Sequence, residues 1–158
     1  MSHLAWPLLC VLVAGAILVT GCSFLFKQPE VSVKGVSLTS LSLTEMALDV
    51  ALSVNNPNSM GLTLTSLSFD VFYQRGNDWI FLAHGEQSGI RINPGENTVT
   101  VPVVISNREL LGSLVGLLTR GEITLQIRGV AKPDFYGLAP PVPFTHTTTI
   151  PLRTGGGT

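Results

Sequence analysis

The chain has 158 residues, of which 12% are charged, and its nine basic and ten acidic side chains leave a net charge of −1. That length holds one ordinary domain and a short appendage. So few and so evenly balanced charges exclude a nucleic-acid surface, which needs a clustered excess of Lys and Arg.

The first segment is apolar. From Leu4 to Val19 there is no charge, and the run closes on Thr20-Gly21-Cys22; every Lys, Arg, Asp and Glu lies beyond Cys22. An apolar stretch of this length ending in small residues reads as a secretory signal. Val19-Thr20-Gly21-Cys22 resembles a bacterial lipobox. The resemblance implies lipid transfer to the Cys22 thiol and cleavage just before it. Residues 1–21 would then be a lipoprotein signal peptide, and residues 22–30 a lipidated Cys with a polar spacer ending in Lys27-Gln28-Pro29-Glu30. Two or three acyl chains, each contributing roughly 0.8 kcal/mol per buried methylene, hold a protein at a bilayer far longer than one. The other reading is an uncleaved anchor from Leu4 through Phe26, long enough to cross a bilayer if Pro7 is accommodated. Either way the membrane is a partner. With Cys10 inside the signal and Cys22 acylated, the remaining body has no thiol, which rules out a disulfide, a Cys nucleophile or a Cys-ligated metal there. Ser23 matches an outer-membrane sorting pattern, so a Gram-negative source would place the protein in the cell envelope, on the outer membrane facing the periplasm.

Strands follow. Val31, Val33, Val36, Leu38, Leu41 and Leu43 alternate with two slips of phase, at Lys34-Gly35 and at Thr39-Ser40. Each slip flips the buried face unless a bulge absorbs a residue, which suits an edge strand with Gly35 at one bulge. Leu48, Val50, Leu52 and Val54 keep a strict period of two, with Asp49, Ala51 and Ser53 on the other face. Asn55-Asn56-Pro57-Asn58 stops that strand, because Pro57 lacks an N–H and restricts Asn56, and Asn side chains bond their own backbone. Alternation resumes at Leu62 and Leu64, slips, and continues through Leu67, Phe69, Val71 and Tyr73. Gly76-Asn77 is a two-residue hairpin signal leading to a strand from Trp79 to Ala83. Gly85 to Gly89 reads as a loop and Ile90-Arg91-Ile92 as a short strand, before a type II turn at Asn93-Pro94-Gly95-Glu96. Val99, Val101, Val103 and Ile105 then alternate, with Pro102 on the opposite face marking a sheet edge or a bulge.

One helix interrupts the strands. Ser106-Asn107-Arg108-Glu109 is a capping box ahead of Leu110, Leu111, Leu114, Val115, Leu117 and Leu118, which share one face of a short amphipathic helix stopped by Gly121. Ile123, Leu125 and Ile127 begin a strand reaching Val130, and Lys132-Pro133-Asp134 through Pro140-Pro141 reads as a long crossing. The last strand carries Val142, Phe144, His146, Thr148 and Ile150. Seven to nine strands without an alternating strand–helix repeat predict an all-β chain, a two-sheet antiparallel sandwich closed at one end by the helix. The domain is expected over residues 31–152, with a flexible tail at 153–158.

The strand, Asn56-Pro57-Asn58, the Gly61-Leu62 re-entry, the Tyr73-to-Ala83 hairpin and the Pro94-Gly95 turn before Val99 stand in an order that resembles the type 2 late embryogenesis abundant proteins. Their module is also called the water stress and hypersensitive response domain. The resemblance implies an immunoglobulin-like or fibronectin type III-like sandwich with one added helix and a part in desiccation and stress protection. It implies no catalytic activity, and Asn56, Pro57 and Asn58 enter as the family's structural turn.

No nucleophile elbow, phosphate loop, zinc-protease helix or dinucleotide fingerprint is present. His84 and His146 are the imidazoles beyond Cys22; His84 has Glu86 and Asp70 as candidate partners, and neither histidine has spacing that suggests a metal site. No cofactor is expected. The reading is therefore a non-enzymatic lipoprotein held at the membrane through Cys22 and guarding the envelope against water stress through protein or lipid contacts. The alternative is an envelope module that binds an apolar segment or a lipid chain.

Overall fold

A computed structural model describes residues 27–42, 44–106, 121–134, 137 and 139–152. Residues 1–21, Cys22 and the spacer as far as residue 26 lie outside the described residues, as do the expected helix at 107–120, Phe135-Tyr136 and the tail at 153–158. The described chain is all-β. It forms β1 (Glu30–Leu41), β2 (Met46–Asn56), β3 (Leu62–Arg75), β4 (Asp78–Ile92), β5 (Gly95–Ile105), β6 (Glu122–Asp134) and β7 (Val142–Pro151). These make two antiparallel sheets, one ordered β1-β2-β5 and the other β4-β3-β6-β7.

The period-two residues build the core. Leu48, Val50, Leu52 and Val54 of β2 are fully buried against Leu67, Phe69, Val71 and Tyr73 of β3 and Leu125 and Ile127 of β6, so both sheets share one apolar interior. Burying one such side chain contributes about 1.5–3 kcal/mol, which is why strict alternation fixes which face of each strand turns inward.

The irregularities in the pattern have structural counterparts. β1 is an edge strand, and its pairing with β2 shifts between Val33 and Gly35 and again between Leu38 and Ser40, the two places where the hydrophobic phase slips. Pro102 sits on β5, the other edge of that sheet. The slip after Leu64 is a register shift against β6, and the Thr65 hydroxyl there donates to the Lys132 carbonyl at 3.0 Å. Arg75 faces Asp78 across the Gly76-Asn77 hairpin, where Gly76 takes φ 63°, and Gly95 takes φ 84°, a value that side chains other than glycine rarely adopt.

Two segments depart from expectation. The loop expected from Gly85 to Gly89 is strand, because β4 runs unbroken from Asp78 to Ile92 and pairs with β3 through Phe69–Gly85, Leu67–Gln87 and Ser66–Ser88. Gly85 serves packing, since a Cβ there would lie 2.7 Å from Cε2 of Phe69. Lys132-Pro133-Asp134, expected in a crossing, closes β6 against β3. Pro133 lies beyond the last β6–β7 pair, Ala131 with Val142, where β6 has one neighbour and a missing donor is tolerated.

Candidate functional site

Antiparallel pairing gathers several ends at one pole of the molecule. β2, β4 and β6 end there, and β1, β3, β5 and β7 begin there. Two connections at this pole cross between the sheets: residues 57–61 carry the chain from β2 to β3, and residues 93–94 carry it from β4 to β5.

Each crossing is stapled by asparagine carboxamides. Asn56, 1% exposed, accepts from the Asn58 backbone N–H at 3.1 Å and from Asn58 Nδ2 at 2.9 Å, and its own Nδ2 donates to the Met60 carbonyl at 2.8 Å. The first of these bonds is an Asx-turn, a side chain standing in for a backbone reversal. Asn58 then reaches outside the turn. Its Oδ1 accepts from the Lys27 N–H at 2.8 Å and its Nδ2 donates to the Lys27 carbonyl at 2.7 Å, a reciprocal pair like one rung of a sheet. Pro57 is exposed and has no donor to satisfy. At the second crossing Asn97 accepts from Asn93 N at 3.0 Å and donates to the carbonyls of Asn93 at 2.8 Å and Gly95 at 3.0 Å. The alternation around Val99 does not single out Asn97, and no local signal ties Asn58 to Lys27, which lies 31 positions earlier.

Beside the first turn lies an open groove of about 410 Å³, walled by Met60, Leu62, Thr63, Arg91, Asn93 and Asp134. Thr63 is the register partner of both Arg91 on β4 and Asp134 on β6, so a cation, a hydroxyl and an anion line up across three strands. Asp134 also accepts from the Gly137 N–H at 3.2 Å. Met60 is 55% exposed at the tip of the turn.

Elsewhere the candidate groups are scattered. His84 Nδ1 lies 2.8 Å from Asp70 Oδ1 and its Nε2 lies 4.0 Å from Glu86, all three well exposed on the outer face of the four-stranded sheet. His146 is half-buried on β7 opposite Ile127. Among the described residues no group of three or more His, Cys, Asp or Glu is placed to hold a metal ion. The outer sheet face also carries Phe72 and Phe81, edge to face with centroids 5.9 Å apart, and the Arg128 guanidinium lies 5.0 Å from the Phe72 centroid.

The family model for late embryogenesis abundant protein matches residues 51–148, from the middle of β2 to the middle of β7. The chain belongs to the type 2 late embryogenesis abundant family. Within the family's matched span lie the Asn-Pro-Asn crossing, the groove, the whole of β3 to β6 and parts of β2 and β7. An uncharacterized protein of Methanocaldococcus jannaschii is 36% identical over 103 residues, 65% of this chain and 59% of its own length, so the chain spans little more than half of that relative. The fold is similar to the solution structure of an Arabidopsis thaliana protein, with TM-score 0.59 and 17% identity over 82% of this chain and 85% of the other. It is also similar to the solution structure of a late embryogenesis abundant (LEA) protein, with TM-score 0.50 and 16% identity over 96% of this chain and 86% of that one.

Proposed function

We propose that this member of the type 2 late embryogenesis abundant family is a non-enzymatic lipoprotein, acylated at Cys22, that protects proteins or lipid of the cell envelope during water stress. We infer for its body an immunoglobulin-like or fibronectin type III-like sandwich, with the one short helix that the capping box at Ser106 predicts in the sequence. The observation that carries this reading is family membership across residues 51–148. The lipobox-like Val19-Thr20-Gly21-Cys22 supplies the tether, and the polar groups of the body serve turns and sheet faces.

Two measurements test the reading. The intact mass of membrane-extracted protein is expected to equal residues 22–158 plus acyl chains; a mass starting at Met1 favours the uncleaved anchor. The purified protein is expected to slow inactivation of a test enzyme by drying at low molar ratio, and protection no better than that of an inert globular protein counts against a stress role. The second reading, a module that binds an apolar segment or lipid chain, has exposed Met60 at the open groove as its apolar feature. Under that reading native mass spectrometry after gentle purification finds a stoichiometric ligand.

A further inference from the structure

We propose that the pole carrying the Asn-Pro-Asn crossing is the bilayer-facing surface of the molecule, held there because Asn58 grips the chain as it leaves the tether. The inference rests on the membrane-tethered reading above and adds to it a direction, a contact surface and the residue that sets both.

The first support is the grip itself. Lys27 is bonded through both its N–H and its carbonyl to the Asn58 side chain, and Pro29, two residues on, is buried. The leading segment is therefore fixed to the tip of the crossing before β1 starts at Glu30 and runs away from this pole. Without the grip, the chain ahead of buried Pro29 would lose its bonds to the crossing.

Reach is the second support. Lys27 is the fifth residue after Cys22, and an extended chain spans at most ~3.3–3.6 Å per residue, so it lies within about 18 Å of an acylated Cys22. For an uncleaved anchor ending at Phe26 it is the next residue. The opposite pole is much farther away. β3 alone has 14 residues between the Asn-Pro-Asn crossing and the Gly76-Asn77 hairpin, roughly 45 Å at ~3.3 Å per residue.

Surface chemistry is the third. The near pole presents Met60, 55% exposed, with Lys27 and Arg91 as cations beside it. An apolar knob flanked by cations suits the boundary between acyl chains and phosphates. The anions nearby are Glu30, exposed at the start of β1, Asp134, which accepts from the Gly137 N–H, and Glu96, which lies 3.6 Å from Lys34. Toward the far end Phe81, 48% exposed, and Val104, 58% exposed, stand on strands back from the turn, and the far hairpin tip itself offers Arg75, Asn77 and Asp78, all exposed.

The test uses the full acylated chain in lipid nanodiscs containing a gadolinium-chelating lipid, with backbone amide signals read by NMR. Signals of Met60, Gly61 and Asn93 are expected to be lost while those of Gly76, Asn77 and Asp78 survive. Asn58→Ala, and independently Lys27→Pro, which deletes the gripped N–H, are expected to remove that contrast. Loss at both poles or at the far pole in the wild type, with the protein still on the discs, overturns the orientation and leaves the tether standing. A protein that elutes apart from the discs overturns the tether and the orientation with it. If both variants keep the wild-type contrast, Asn58 is not what sets the direction. Losses that persist without gadolinium and grow with protein concentration assign the pole to a second copy of the chain instead.

Discussion

Asn56 and Asn58 carry the same carboxamide two positions apart, yet their surroundings give them different energetic weight. Asn56 is buried, and truncating it takes three hydrogen bonds from a part-buried turn, leaving the Asn58 backbone N–H and the Met60 carbonyl without their side-chain partner. A buried polar group left unpaired costs about 1–3 kcal/mol, so Asn56→Ala is expected to lower the unfolding free energy by about 2 kcal/mol in urea titrations. Asn58 bonds Lys27 at the exposed rim, where water replaces the lost partners. Asn58→Ala is therefore expected to cost about 1 kcal/mol or less while accelerating hydrogen exchange at the Lys27 amide. Equal losses in the two variants, or unchanged Lys27 exchange, would contradict this division. The sequence shows that a turn belongs at Asn-Pro-Asn, because proline and asparagine act on their nearest neighbours. It cannot show the Lys27 contact, which exists only once β1 and β2 have paired.

At the level of strands, one row across the four-stranded sheet sets the packing: Gly85 on β4, Phe69 on β3, Gly129 on β6 and Phe144 on β7 are register partners. Each glycine leaves room for a ring. A Cβ at Gly129 would lie 2.6 Å from both Phe69 Cβ and the Ser68 carbonyl oxygen, and the latter is backbone with no rotamer to escape into. Overpacking of this kind costs about 1–3 kcal/mol, so Gly129→Ala is expected to lower stability by that amount in chemical denaturation. Gly35, at the first bulge of β1, is the control. Its Cβ would meet nothing within 4 Å and its φ lies outside the left-handed range, so Gly35→Ala is expected to stay within about 0.5 kcal/mol of wild type. A tolerated Gly129→Ala beside a damaging Gly35→Ala would reverse the assignment. This row also explains why the Gly85–Gly89 strand was hidden. A loop glycine and a glycine lying under a distant ring look alike in a one-dimensional pattern, whereas the phase slips in β1 and β3 were legible because a bulge acts on its own strand.

Over the whole molecule, periodicity names the strands but not their neighbours. β2 pairs with β5, so that Met46 faces Ile105, and β3 pairs with β6, so that Thr63 faces Asp134. Both ladders reach across intervening strands, and the chain changes sheets at residues 57–61, at 93–94 and again between β5 and β6. Such pairings must close long loops before any contact compensates the lost chain entropy. The hairpins β1–β2 and β3–β4 are local and can form early, but neither buries its inner face until the other sheet is present. Refolding from urea in detergent of the chain from Cys22 onward, whose one tryptophan is half-buried Trp79, followed by stopped-flow fluorescence, is therefore expected on the millisecond-to-second scale of β-rich two-state domains. Recovery of all the fluorescence within the instrument dead time would mean that local hairpins suffice, and the two long ladders would then not be what limits assembly of the common core.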